Sequence, residues 1–246
     1  MKSHRHIYRF TRRCAVGLLC SSTLALSALP AIAQSTIQLN LPDLSAPGNR
    51  ESGSTRESES CVAEKIIALV PESNYGETQK GYPTFYAYVP ATTAKTATFR
   101  MVNEATGETF YEGKFSVAGD AGIVGVTLPD NGLQQAMEVG QSYYWYLGLI
   151  CDGVPTEGTT IESLVTRVSP KVDELEAETA ELPALYAEAG LWYDALAASA
   201  DLRASDNLPW NTLLDAVALE TLITSPMLSE GLIPQATGTP VSLVEE

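Results

Sequence analysis

Histidines, cysteines, paired carboxylates and aromatic rows are the features of this chain that could do chemistry, and the histidines decide most of it. There are two, His4 and His6, inside an N-terminal stretch that also holds Lys2, Arg5, Arg9, Arg12 and Arg13 and no acid. An apolar run over residues 14–29 follows, then Pro30-Ala31-Ile32-Ala33. A basic start, a short apolar stretch and an A-x-A end predict a secretory signal cleaved after Ala33. An uncleaved anchor is the alternative, but a membrane span takes about 20 apolar residues, and Ser21, Ser22, Thr23 and Ser27 interrupt this run. Thr11-Arg12-Arg13 matches a twin-arginine signal in part, which leaves the export route open. After cleavage, residues 34–246 contain no imidazole. Ser-His-Asp and Cys-His hydrolysis and metal centres built on imidazole are thereby excluded.

What remains for catalysis is a pair of carboxylates, as in glycoside hydrolysis, where the two groups stand about 5–9 Å apart. The chain has 30 acidic residues, but no spacing singles out two of them. Gly140-Gln141-Ser142-Tyr143 lacks the closing glycine of a nucleophile elbow. Phosphate-binding loop, dinucleotide fingerprint and EF-hand loop are all missing. The sequence therefore nominates no catalytic, cofactor-binding or metal-binding residue, and no cofactor. Losing five of 15 basic residues with the signal leaves 10 against 30 acids, a formal charge of −20 over residues 34–246. Such a chain lacks the cations that neutralise phosphate, which argues against nucleic acid and anionic membrane as partners.

Cys14 and Cys20 leave with the signal, so Cys61 and Cys151 are the remaining pair. In an exported chain an even pair predicts a disulfide. Two aromatic rows are candidates for ligand stacking: Tyr86 with Tyr88, and Tyr144 with Tyr146, each two residues apart on one strand face. Exposed, such rows stack on sugars or hold a peptide. Buried, they are core, the commoner fate of aromatics in a sandwich.

These residues need strands to carry them. Residues 141–151 are apolar on both faces at a period of two and predict a central strand. Residues 65–70, 84–89, 97–102, 109–117, 123–128 and 161–168 also read as strands, and 73–81 as a polar turn. Seven short strands separated by turn signals predict an α+β chain whose β part is a seven-stranded immunoglobulin-like sandwich. After Pro170 the apolar period becomes helical, through Val172, Leu175, Leu182, Leu185, Tyr186, Trp192, Tyr193 and Leu196, and a last helix covers 209–223. Tyr186, Gly190 and Tyr193-Asp194-Ala195-Leu196 match part of a tetratricopeptide helix pair, but a solenoid needs several copies. A C-terminal helical hairpin capping the β-domain is the simpler reading. The expected division is a signal peptide at 1–33, a disordered leader at 34–60, the β-sandwich at 61–169, the helical segment at 170–225 and a flexible tail at 226–246.

Five motifs follow one another along nearly all of the chain after residue 33. They are Pro47-Gly48-Asn49-Arg50-Glu51-Ser52-Gly53 ahead of a cysteine, Ala68-Leu69-Val70-Pro71, and Pro83-Thr84-Phe85-Tyr86-Ala87-Tyr88-Val89-Pro90. Tyr144-Trp145-Tyr146 with Leu149-Ile150-Cys151-Asp152 comes next, then Tyr186-Ala187-Glu188 with Gly190-Leu191-Trp192-Tyr193-Asp194-Ala195-Leu196. In these the chain resembles DUF928, a family of bacterial exported proteins best known from cyanobacteria. The resemblance implies export and supplies no activity. The expectation is a periplasmic or secreted, non-catalytic binding or adaptor module of the cell envelope. Its partner would be an envelope protein or a glycan, with no membrane span after signal cleavage. The alternatives are a histidine-independent carboxylate enzyme such as a glycoside hydrolase, or a structural assembly component.

Overall fold

Strands form wherever the period of two runs in the sequence. The computed structural model describes residues 37–53, 61–62, 64–151, 154–228 and 232–234. The expected signal, residues 34–36 and 54–60 of the leader and residues 229–231 and 235–246 of the tail lie outside the described residues. Nine strands are described: β1 (Ile67–Ala68), β2 (Tyr75–Thr78), β3 (Thr84–Val89), β4 (Thr96–Asn103), β5 (Thr109–Val117), β6 (Gly122–Thr127), β7 (Ser142–Cys151), β8 (Val154–Arg167) and β9 (Leu232–Pro234). Helices α1 (Leu182–Glu188), α2 (Trp192–Leu202) and α3 (Leu208–Ala216) precede β9. One sheet has the order β2-β8-β7-β4-β5-β9 and the other β1-β3-β6. The result is an α+β open sandwich.

Both faces of β7 carry large side chains, but they meet different surroundings. Tyr143, Trp145, Leu147 and Leu149 are buried, whereas Tyr144, Tyr146 and Ile150 are only half-buried. On the inner side the Trp145 ring lies 5.3 Å from Phe85 of β3 and 5.9 Å from Phe99 of β4. Phe85 in turn lies 5.2 Å from Tyr193 of α2. Both sheets and α2 therefore share one core, in which each large apolar side chain stabilises by about 1.5–3 kcal/mol. The indole Nε1 of Trp145 donates to Tyr193 Oη at 2.8 Å, so this polar atom is buried with its bond made. A register shift between Gly148 and Ile150 interrupts the β7–β8 ladder, and there the Thr159 hydroxyl donates to Leu149 O at 2.8 Å.

Nine strands in six-plus-three order replace the seven of an immunoglobulin-like domain, which divide four and three. Part of the difference is β2, within the stretch expected as a turn, which pairs in parallel with β8. Its Gly76 suggested a turn, yet this glycine serves close packing: a Cβ there would stand 2.9 Å from the Tyr193 ring and 3.2 Å from Trp192 Cβ. The helical segment is also shorter than its apolar period. Val172 and Leu175 lie in turns ahead of α1, with Leu175 97% exposed, and α3 ends at Ala216, two residues before Ala218 adopts φ +56°.

The described part of the expected leader, 37–53, is laid along the domain. Asn40 N donates to Ala187 O (3.0 Å), Ala46 N to Ser73 O (2.9 Å) and Ser52 N to Ile66 O (2.9 Å), while Arg50 O accepts from Ala68 N (2.8 Å). The Arg50 guanidinium donates to Val70 O, Val217 O and Ala218 O at 3.0–3.2 Å, which satisfies carbonyls beyond the end of α3. Between α1 and α2, Gly190 has φ +78°, and a Cβ there would come within 2.7 Å of Asn40 O. Cys61 and Cys151 are joined with their Cα atoms 5.5 Å apart, fastening the end of β7 to the segment that enters the domain. Closing a loop of this length, 90 residues, stabilises by about 4–5 kcal/mol in the chain-entropy model.

Candidate binding face

The two tyrosine rows, alike in sequence, differ at Tyr86. Tyr86 on β3 is buried, and its ring meets the Trp210 indole of α3 edge-on at 6.1 Å. Burial, with a smaller contribution from Asp201, pushes its phenol up to about 12. Tyr88 is half-buried between Ile67 of β1 and Ile123 of β6. With Tyr86 covered, this row lacks a pair of accessible rings.

Tyr144 and Tyr146 point away from the core, on the outer face of the six-stranded sheet. Antiparallel register sets Arg100 of β4 and Glu162 of β8 on either side of Tyr146. The Arg100 guanidinium lies 4.9 Å over the Tyr146 ring, and Tyr146 Oη donates to Glu162 Oε1 at 3.3 Å. Partial burial raises the Tyr146 phenol, the Glu162 carboxylate adds to this and Arg100 opposes it. Tyr144 is raised by partial burial and by Glu104 and Glu162. The arrangement is a pair of outward-facing aromatic side chains with a planar cation held on one ring and a carboxylate beside it. It can stack and hydrogen-bond, and nothing in it activates a nucleophile.

A family model for DUF928, described as a Domain of Unknown Function, matches residues 51–227. The chain belongs to the DUF928 family. The match ends before β9, so this strand lies beyond the part that the DUF928 chain shares with the family model. No curated protein and no solved structure matches the chain.

Sequence reasoning missed one chemically distinctive group of this DUF928 chain. Asp194, in the first turn of α2, is 2% exposed. Its Oδ1 accepts from the Thr78 hydroxyl and its Oδ2 from Gln79 N, both at 2.8 Å. Burial pushes the carboxyl up to about 6, against the pull of the Gln79 and Thr78 hydrogen bonds and of Lys80. The signal was available, since this acid stands among residues of core type, Trp192, Tyr193, Ala195 and Leu196. Both oxygens are engaged, so Asp194 fastens α2 to the end of β2. Gln79 extends the same junction, donating from Nε2 to Val172 O at 2.9 Å and to Glu174 Oε1 at 3.1 Å. Among the described residues no three His, Cys, Asp or Glu side chains converge as a metal site requires.

Proposed function

We propose that this protein is a non-catalytic binding module of the cell envelope and presents the outer face of β7 to a glycan. The observation that carries this reading is the half-buried Tyr144–Tyr146 row, with Arg100 held on one of its rings. Alternate residues of a strand stand about 7 Å apart on one face, so the two side chains lie within the span of one oligosaccharide. Arg100 supplies hydrogen-bond donors and Glu162 an acceptor beside it, the combination a sugar ring requires. The Cys61–Cys151 disulfide suits an oxidising compartment, and no described helix is long and apolar enough to cross a membrane. In this reading residues 1–33 are the export signal, cleaved after Ala33, and the mature chain is periplasmic or secreted. A carboxylate enzyme is the weaker reading, because the carboxyl group with the raised pKa, Asp194, has both oxygens engaged and is buried.

The test is co-sedimentation of the mature protein with isolated peptidoglycan and with a set of insoluble neutral polysaccharides. At least one should retain it, and the double variant Tyr144→Ala/Tyr146→Ala should be retained at least tenfold less while keeping its disulfide and circular dichroism. Equal retention of the two proteins, or retention by none of these probes, would overturn the proposal.

A further inference from the structure

We infer that the cleft between the β4–β5 turn and residues 131–141 is a docking site for a basic peptide segment of a partner protein. Tyr143 lines it, on the opposite side of β7 from Tyr144 and Tyr146, so it is separate from the outer face. The cleft holds about 580 Å³, within the range of about 300–1,000 Å³ usual for ligand sites. Two irregularities of the chain build it. The β4–β5 register shifts after Met101: Tyr111 stands opposite Met101 and Thr109 opposite Val102, which leaves Phe110 with no opposite residue. Such a bulge re-aims its side chain, and the half-buried Phe110 ring lies 4.6 Å from the Tyr143 ring at the cleft. Facing it, residues 128–141 join β6 to β7 without helix or strand, yet they are tied down. Met137 is buried, its N–H donates to Gly81 O at 3.0 Å, and its carbonyl accepts from the Arg167 guanidinium. Gln134 Nε2 donates across to Phe110 O at 3.3 Å. A long connection held this firmly presents its side chains in fixed places.

The lining chooses the ligand. Tyr143 is 2% exposed, and its hydroxyl oxygen accepts from Glu138 N at 3.2 Å. Among the described residues nothing accepts the hydroxyl's own proton, so this buried donor is left for an acceptor in the cleft, such as a peptide carbonyl. Glu108 and Glu138 line the same cleft and make no ion pair among the described residues. No described lysine or arginine lines it. An anionic ligand would meet like charge there, whereas a lysine or arginine side chain supplies the missing counter-charge. Leu133, 88% exposed, and Phe110 offer apolar surface to the stem of that side chain. A neutral sugar would leave both carboxylates without a counter-charge, which distinguishes this cleft from the face proposed for a glycan. The formal charge of −20 over residues 34–246 draws a basic partner toward the chain, and the cleft gives it a place to dock.

The probe is a pool of synthetic heptapeptides with lysine or arginine at the centre and every other position randomised, titrated into ¹⁵N-labelled mature protein. Amide resonances of residues 103–110 and 131–141 should shift. A matching pool with acetyl-lysine or citrulline at the centre should shift them far less. In Glu108→Gln/Glu138→Gln the apparent affinity should fall by about tenfold, the scale of two partly exposed ion pairs. Glu178→Gln/Glu220→Gln removes the same charge away from the cleft and should leave the affinity unchanged. Tyr143→Phe keeps the ring and loses the donor, so it should weaken binding while the disulfide and circular dichroism persist. No shift at these residues, or equal shifts with the uncharged pool, would overturn the inference. Equal weakening by the two double variants would overturn it too, by reducing the binding to attraction toward net charge.

Discussion

Tyr86–Tyr88 and Tyr144–Tyr146 are the same pattern on two strands, and of the four only Tyr86 is buried by what lies across from it. The strand residues do not set this difference. β3 belongs to the smaller sheet, whose outer face lies under α3, where Trp210 meets Tyr86 at 6.1 Å. β7 belongs to the six-stranded sheet, where α2 packs on the inner face through Tyr193 and leaves Tyr144 and Tyr146 half-buried on the outer one. An aromatic row thus becomes core or platform according to where the helices, more than 50 residues downstream of β7's first residue in the case of α3, come to rest.

Removing the cover is the strongest test of this contrast. Trp210 is fully buried, with Arg203 lying 5.0 Å over its ring. Trp210→Ala should destabilise by about 3–5 kcal/mol, read from urea unfolding. In the folded variant the Tyr86 phenol should fall from about 12 toward an ordinary tyrosine value, followed by NMR of ¹³C-labelled tyrosine. A variant that loses stability while Tyr86 still titrates at about 12 would show that α3 is not what separates the two rows.

The attachment of α2 gives the next largest effect, and it depends on pH. The Asp194 carboxyl titrates near 4 when unfolded and is raised to about 6 in the fold. The folded state therefore binds this proton more tightly. The stability it contributes is fully present below about pH 4 and is lost as the pH rises through about 6. The difference between about 4 and about 6 corresponds to about 3 kcal/mol. Between pH 4 and 7 the unfolding free energy of the parent protein should fall by about that much relative to Asp194→Asn, measured as urea midpoints across the range. A difference that stays flat with pH would mean that the carboxyl is not held in the dry junction between α2 and β2.

How much of this was legible in the sequence follows from which interactions leave a period. Residues 142–151 were readable as a central strand because period-two alternation is a local property, and β7 lies between β8 and β4 as expected. The Cys61–Cys151 pair followed from counting. β2 was not readable, because its inward residues are Gly76 and the polar Thr78 and its hydrogen bonds come from β8, far along the chain. Residues 37–53 looked unstructured because backbone hydrogen bonds and a single arginine hold them, and neither produces an apolar period. Of the candidate site, the row on β7 was visible as a pattern. Its exposure was not, nor was Arg100, which reaches Tyr146 only through the pairing of β4 with β7.

Arg100 gives the smallest effect and separates platform from core most cleanly. It is exposed and lies 4.9 Å over the Tyr146 ring, a contact worth about 0.5–1 kcal/mol at such a site. Arg100→Ala should therefore change stability by no more than about 1 kcal/mol. It should also raise the Tyr146 phenol further, because the guanidinium opposes the upward push of burial and Glu162. Arg100→Lys keeps the charge and loses the planar stack, so it should leave the Tyr146 titration nearly unmoved while weakening glycan retention as Arg100→Ala does. ¹³C-tyrosine NMR and the co-sedimentation assay read the two properties separately. If Arg100→Ala instead costs several kcal/mol, the outer face is holding the fold together as the inner one does, and the contrast between the two rows fails on the side where it matters for binding.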